Sequence, residues 1–357
     1  MNMMYLFSII PNDMELGIPG NLGFFEFLIV FSFLVHILVV NITVGSSTLA
    51  VFQEIKGIRK KDQLFDAFAF QLANHASVLK SIAVVMGVAP LLLISVIYTQ
   101  YFYPATILIG KMWLSLIIIL IAAFLILYAY KFLWKRMADG RNKVFHIAIG
   151  AIGSLILLFV PLIFIVNVVS MLYPEMWEGS KGFFHGLFYY PQIWQRYFHF
   201  VLASFGVTGI YLYFWNGRLL NKLNKKELDR KLSKQMEIVY KYGKKLGIQV
   251  AIITTLLQLV FGTILLMSFE RSIMLLYMGD DILLTTLLVL SIFLTLTMAF
   301  FLYQLQRHDV KRYFVLALSS FLLVLSLMGW MRHELRESHL EPYLEENPRT
   351  VQTVEQP

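Results

Sequence analysis

Eight apolar runs, each long enough to cross a bilayer, constrain this chain more than any other feature of its sequence. A helix needs about 20 apolar residues to span ~30 Å of hydrocarbon. The runs fall at roughly 24–52, 77–98, 105–130, 145–172, 193–215, 246–269, 282–305 and 313–331. Inside lipid every backbone N–H and C=O needs a partner within the chain, which leaves helices or closed barrels. No ten-residue alternation indicates a barrel, and no internal repeat or low-complexity linker divides the chain. The spacing therefore predicts one all-α polytopic membrane domain over 1–331 and a polar extracytoplasmic tail over 332–357. Only 15% of the residues are charged, where a soluble domain carries about 25%. Met1 to Ile10 is apolar but short, lacks a basic stretch and is cut off by Pro11, so it does not read as a signal peptide.

The charges give the bundle a direction. The connections at 53–74, 131–144, 217–245 and 305–312 carry four, five, ten and three of the 30 Lys and Arg residues. With eight crossings all four lie on one side, and the positive-inside rule puts that side in the cytoplasm and both termini outside. The outer segments hold six basic and fourteen acidic residues. The overall charge of +8 thus describes the inner loops and does not imply nucleic acid. An acidic outer face is either ordinary solvation or a surface that steers a basic soluble partner. Cysteine is absent, which excludes disulfides, thiolate iron–sulfur clusters and covalently attached c-type haem. Any haem is bound non-covalently.

Two histidines lie inside the apolar runs, where an ionisable ring is costly without a partner or a role. In FSFLVHILVVNITVGS, residues Ser32, His36, Thr43 and Ser47 fall on one helical stripe. Gly45 leaves room there for another backbone or a flat cofactor. In YYPQIWQRYFHFVLASFGVTG, His199 sits a few turns below the outer surface, with Gly206 two turns further in. Arg196 lies three residues before His199, and Lys111 enters early on the third span. These cations either snorkel or pair with haem propionates. His36 either bonds a neighbouring helix or, like His199, ligates haem iron. His75, His146 and His308 lie at cytoplasmic helix ends, where a solvated or dipole-facing role is usual. His333 ends the last run beside Trp330 and Glu334. No P-loop, no G-x-G-x-x-G after a strand and no H-E-x-x-H is present. Spans two to four contain no Asp or Glu.

The chain resembles subunit I of the cytochrome bd quinol oxidases. His36, Asn41 and Thr43-Val44-Gly45 are similar to that family's H-x4-P-L-T-L-G, with asparagine in place of proline. KVFH opens span four like the family's K-V-x-H. Pro191, His199 and ASFGVTG follow its N-P…F-x-H…A-S-G-Y-V-T-G with one residue inserted, and GWMRHELRES keeps the Trp330–Glu334 spacing of G-W-x-x-x-E-x-G-R. The resemblance spans about 300 residues and implies a bd-oxidase-like bundle in a prokaryotic cytoplasmic membrane. It implies that His199 ligates a low-spin haem b, that His36 ligates a haem of a di-haem site, and that Glu334 beside Trp330 holds the other haem there. Two or three haems b are implied, with haem d an option at the di-haem site. The sixth ligand of the low-spin haem would be a methionine opening the seventh helix, where the nearest sulfurs are Met278 and then Met274. Trp330, His333, Arg196, Lys111, Gly45 and Gly206 would form the haem surroundings.

The departures bear on function. The family's quinol-binding outer loop between helices six and seven shrinks here to about 270–281, so quinone loses its usual site. The stretch matching the family's two third-helix carboxylates reads ILIGKMWLSLIIILI, with Lys111 near one position and aliphatics near the other. Arg336 comes one residue early, and the ninth helix is missing. The expectation is a bd-like haem b subunit passing electrons in a respiratory chain. Its partner would be an extracytoplasmic c-type cytochrome or another redox subunit, with a second membrane subunit as a further candidate. A terminal oxidase reducing oxygen is the alternative; a haem-free quinone-linked anchor or a transporter is a further one.

Overall fold

The side chain of Asn21 accepts the Phe24 N–H at 3.2 Å and starts α1, which runs over Leu22–Lys60. Satisfying an orphan donor of the first turn is what an N-cap does. At the far end Lys61 takes a left-handed conformation (φ 53°), and Asp62 accepts the Leu64 N–H at 2.9 Å. Two residues thus separate α1 from α2 (Gln63–Ile97), and the two helices form a tight antiparallel hairpin. There follow α3 (Thr99–Leu108), α4 (Gly110–Phe132), α5 (Gly140–Leu172), α6 (Phe183–Tyr189), α7 (Ile193–Leu223), α8 (Arg230–Met267), α9 (Arg271–Leu275), α10 (Ile282–His308) and α11 (Lys311–Glu346). This computed structural model describes residues 18–137, 140–223, 230–346 and 351–352. Among them the regular structure is helical apart from a two-residue parallel pairing of Ile18–Pro19 with Val351–Gln352.

Among the described residues eight helices, α1, α2, α4, α5, α7, α8, α10 and α11, are long and apolar enough to cross a membrane. The chain is an all-α, multi-pass membrane protein. Each helix packs on its sequence neighbour in the pairs α1–α2, α4–α5, α7–α8 and α10–α11, and α1 also touches α5, α7 and α11. Large apolar side chains such as Phe31, Leu114, Ile118 and Leu125 stay exposed, as expected where the surrounding solvent is lipid. Lipid gives no hydrophobic reason for helices to associate, so small and polar residues make the contacts. A methyl on Gly45 would come within 2.6 Å of the Ser204 carbonyl on α7. On the other face of α7, a methyl on Gly209 would meet the Gly247 carbonyl of α8 at 2.6 Å.

The helices outrun the apolar stretches. The hydropathic signal of the first run fades near residue 52, but α1 continues to Lys60, and α8 starts at Arg230, well before the apolar run at 246. Charged residues end a hydropathic run without ending a hydrogen-bonded backbone, and the extra turns stand beyond the hydrocarbon. The third run is divided at Ile109 into α3 and α4. Residues 332–346, expected as the first part of a polar tail, instead continue α11. They are held because Leu335 and Leu340 are buried, Leu340 in a cluster with Tyr98, Tyr101 and Met171.

Candidate functional site

The end of the bundle where α1 begins and α11 ends brings polar side chains from several helices together. Just before α7, Gln192 adopts a left-handed backbone (φ 62°) and its buried side chain acts as a junction. Its amide donates to the Tyr173 hydroxyl at 3.1 Å and to the Ser268 carbonyl at 3.3 Å, while its oxygen accepts from Arg196 at 2.9 Å. Burial pushes the Tyr173 phenol up, with the Arg196 charge opposing it. Arg196 also lies over the Phe269 ring at 5.6 Å. A small cavity is lined by Val168, Leu172, Arg196, Arg332, Leu335 and Arg336. The Nε atoms of Arg196 and Arg336 are buried without a hydrogen-bond partner. Three guanidinium groups around one cavity, two with spare donors, create a field that favours an anion.

His199 follows Arg196 by three residues, so both project from neighbouring positions on α7. The ring is half-buried and its Nδ1 is buried with no partner. It faces α8 at Gly262, where a methyl would lie 3.8 Å from Cε1. Gly206, two turns on, faces Thr254 of α8. An orphaned buried ring nitrogen costs about 1–3 kcal/mol unless something binds it.

His36 is half-buried against α2. Its Nδ1 lies 3.0 Å from the Ala83 carbonyl, an acceptor only, so Nδ1 donates and Nε2 keeps its lone pair. Gly87 makes the room: a methyl there would stand 2.8 Å from His36 Cε1. The rest of the stripe is turned inward on its own helix, with Ser32, Thr43 and Ser47 each donating to an α1 carbonyl. At Gly45 the close neighbour is the α7 backbone, and Asn41 holds the same crossing by accepting from Ser204 and Thr208.

On α11, half-buried Glu334 lies beside the Trp330 indole with Glu337 and Asp281 as charged neighbours, while Tyr277 has both Arg196 and Glu334 as charged neighbours. His333 is buried on another face, 5.3 Å from Trp330. Its Nδ1 accepts from Arg336 at 3.0 Å, so the neutral ring carries its proton on Nε2, 3.9 Å from Glu26. Glu337 accepts from Tyr98. The ligand atoms of Glu26, His333 and Glu337 lie within 4.8 Å of one another. Arg336 fixes the tautomer that lacks an Nε2 lone pair, so as arranged the group ties α1 and α11 to the junction of α2 and α3. Lys111 is exposed at the start of α4. Met278 is 65% exposed in the turn Leu276–Asp280, whose buried member is Tyr277.

Sequence reasoning missed the convergence of Arg332 and Arg336 on Arg196, because the residues are far apart in the chain. It also misread His146. That ring is 1% exposed and bonded at both nitrogens rather than solvated.

No protein-family model matches the chain, and no curated protein matches it. Among solved structures, the chain is similar to "The structure of bd oxidase from Geobacillus thermodenitrificans", with a TM-score of 0.65 and 13% identity. The match covers 92% of this chain and 90% of that one. At that identity the likeness concerns the fold.

Proposed function

We propose that this chain is a haem b-binding membrane subunit that carries electrons in a respiratory chain. The observation that carries the reading is His199: a half-buried ring in a membrane helix, with an orphaned Nδ1, three residues from Arg196, which lines a cavity with Arg332 and Arg336 and, like Arg336, keeps an unpaired Nε donor. This donor set fits haem, because a ring nitrogen suits iron and arginines suit propionates. His36 fits as a second ligand, since donation of Nδ1 to a backbone carbonyl orients the ring and leaves Nε2 for a metal. Glu334 beside Trp330 is the third candidate, and Arg196, Arg332 and Arg336 would hold the propionates. Bound haem b supplies a one-electron couple whose potential its ligands and surroundings set. The chain's own part is to fix the rings, keep water away with aromatic and aliphatic packing, and balance the charge.

In this reading the basic connections face the cytoplasm and the termini lie outside a prokaryotic cytoplasmic membrane. The donor or acceptor would be a c-type cytochrome or another redox subunit on the acidic outer face, and a second membrane subunit would pack alongside. The shared fold with a bd oxidase, together with His36 and Glu334, favours oxygen reduction as a second reading.

A reduced-minus-oxidised optical spectrum of the purified protein tests both. Haem b bands are expected, and their absence sinks both readings, leaving a haem-free anchor or transporter. His199→Ala is expected to abolish the low-spin signal, and an unchanged spectrum refutes that ligand. A carbon monoxide shift in the reduced form would support the oxidase reading, and its absence would remove it.

A further inference from the structure

At the opposite, basic end of the bundle, three side chains from three helices are almost fully buried: Glu54 of α1, Tyr130 of α4 and His146 of α5, at 2%, 1% and 1% exposure. His146 Nδ1 lies 2.7 Å from Glu54 Oε1, and His146 Nε2 lies 2.7 Å from the Tyr130 carbonyl. The Tyr130 hydroxyl donates to Glu54 Oε2 at 2.7 Å. The carbonyl can only accept, so Nε2 carries a proton. The bond between Nδ1 and Oε1 then needs one further proton, which either atom can hold.

We infer that Glu54 and His146 form a one-proton store built into the contact of α1 with α4 and α5, on the face of α1 that also carries His36. The Oε1–H bond breaks and leaves its electron pair on oxygen, an Nδ1–H bond forms, and a neutral acid–imidazole pair becomes carboxylate–imidazolium. The Tyr130 hydroxyl supports the carboxylate form, and the Nε2–H bond to the carbonyl stays in place throughout. With the shared proton gone, the buried carboxylate would face a nitrogen lone pair, with the Tyr130 hydroxyl still donating to its other oxygen, so release of the proton is costly and needs an acceptor to drive it. Among the described residues, nearby ionisable groups have partners of their own. Asp66 of α2 is held by Lys143 of α5, and Lys56 of α1 donates to Tyr242 of α8, which donates to Gln53. On α4, Lys131 lies against the Phe132 ring.

The store is connected to the rest of α1 by register. Glu54 lies 18 residues, or five turns, beyond His36, so it extends the stripe of His36, Thr43 and Ser47. Eight residues from the pair toward the terminal end, α1 carries Ser46 and α5 carries Ser154, both buried hydroxyls without a partner. Buried hydroxyls of this kind are ordinarily satisfied by water, and they sit on two contacting helices between the two levels.

Infrared difference spectra of the full-length protein in lipid nanodiscs, stepped from acid to alkaline buffer in H2O and D2O, test the store. The wild type should show an exchangeable carboxyl band that Glu54→Gln removes and that His146→Gln shifts or abolishes, because both partners hold the same proton. Tyr130→Phe leaves that pair intact and should move the same band, since it takes the donor from Oε2. The inference is overturned if Glu54→Gln removes no band, or if the Glu54 band titrates unchanged in His146→Gln or stays in place in Tyr130→Phe. The optical haem spectrum is an independent check on the electron-transfer reading: its absence beside an intact infrared coupling would sink that reading and leave the store standing.

Discussion

Individual residues in this protein act through what the neighbouring helix offers them. His36 was legible in the sequence because a lone ring in an apolar run is conspicuous, and its stripe of Ser and Thr could be counted. Glu54 lies on that same stripe but past the end of the apolar run, where charge ordinarily means a loop. The tertiary contact with His146 makes it a buried carboxylate instead. Breaking a buried pair by removing one partner costs about 3–5 kcal/mol. Glu54→Ala should therefore lower the thermal unfolding midpoint in detergent far more than Glu54→Gln, whose amide can still donate to Nδ1. At Gly45 the α7 backbone stands within 2.6 Å of any added methyl. Gly45→Val should cost about 1–3 kcal/mol through overpacking, read from the same melting curves, whereas an equal substitution at Gly110, which has open space around it, should not.

Among the elements, the existence of each spanning helix follows from apolar length, and its ends do not. Runs of Lys, Arg and Asp close a hydropathic window while leaving the helical hydrogen bonds intact, which is how α1, α2 and α8 come to extend beyond their apolar stretches. The split of the third run at Ile109 was equally hidden, because both halves are apolar. α11 is the instructive case. Its last turns read as a polar tail, yet they place Arg332 and Arg336 on the cavity beside Arg196 and bury Leu340 among Tyr98, Tyr101 and Met171. Ending the chain after Met331 should therefore lower thermal stability and raise protease sensitivity, while ending it after Glu346 should leave both near the full-length values. The shorter form should also lose any carboxylate-rich ligand that the arginines hold, measured as haem content after purification.

For the molecule as a whole, the count of eight long apolar helices was readable from the sequence, and among the described residues the structure has eight such helices in the same order. The pairing of α1 with α5, α7 and α11 was not readable, since apolar faces against lipid and against protein are alike in composition. The absence of cysteine makes the orientation simple to measure. A membrane-impermeant thiol reagent applied to intact cells should label Glu178→Cys and leave Lys222→Cys unlabelled until the membrane is broken. The reverse pattern would turn the proposed topology over.

The register of α1 has an electrical consequence. Glu54 and His36 are 18 residues apart, about 27 Å along the axis at 1.5 Å per residue, so the two ends of the polar stripe sit at different depths in the transmembrane voltage. Moving one elementary charge across the whole of a 100 mV potential takes about 2.3 kcal/mol, and a proton carried along this stretch would do a sizeable part of that work. Any reaction at the His36 level that draws its proton from Glu54 and His146 would then slow as the membrane is charged against it and quicken when the membrane is discharged. Helix α1 would act in that case as a capacitor spacer as well as a scaffold.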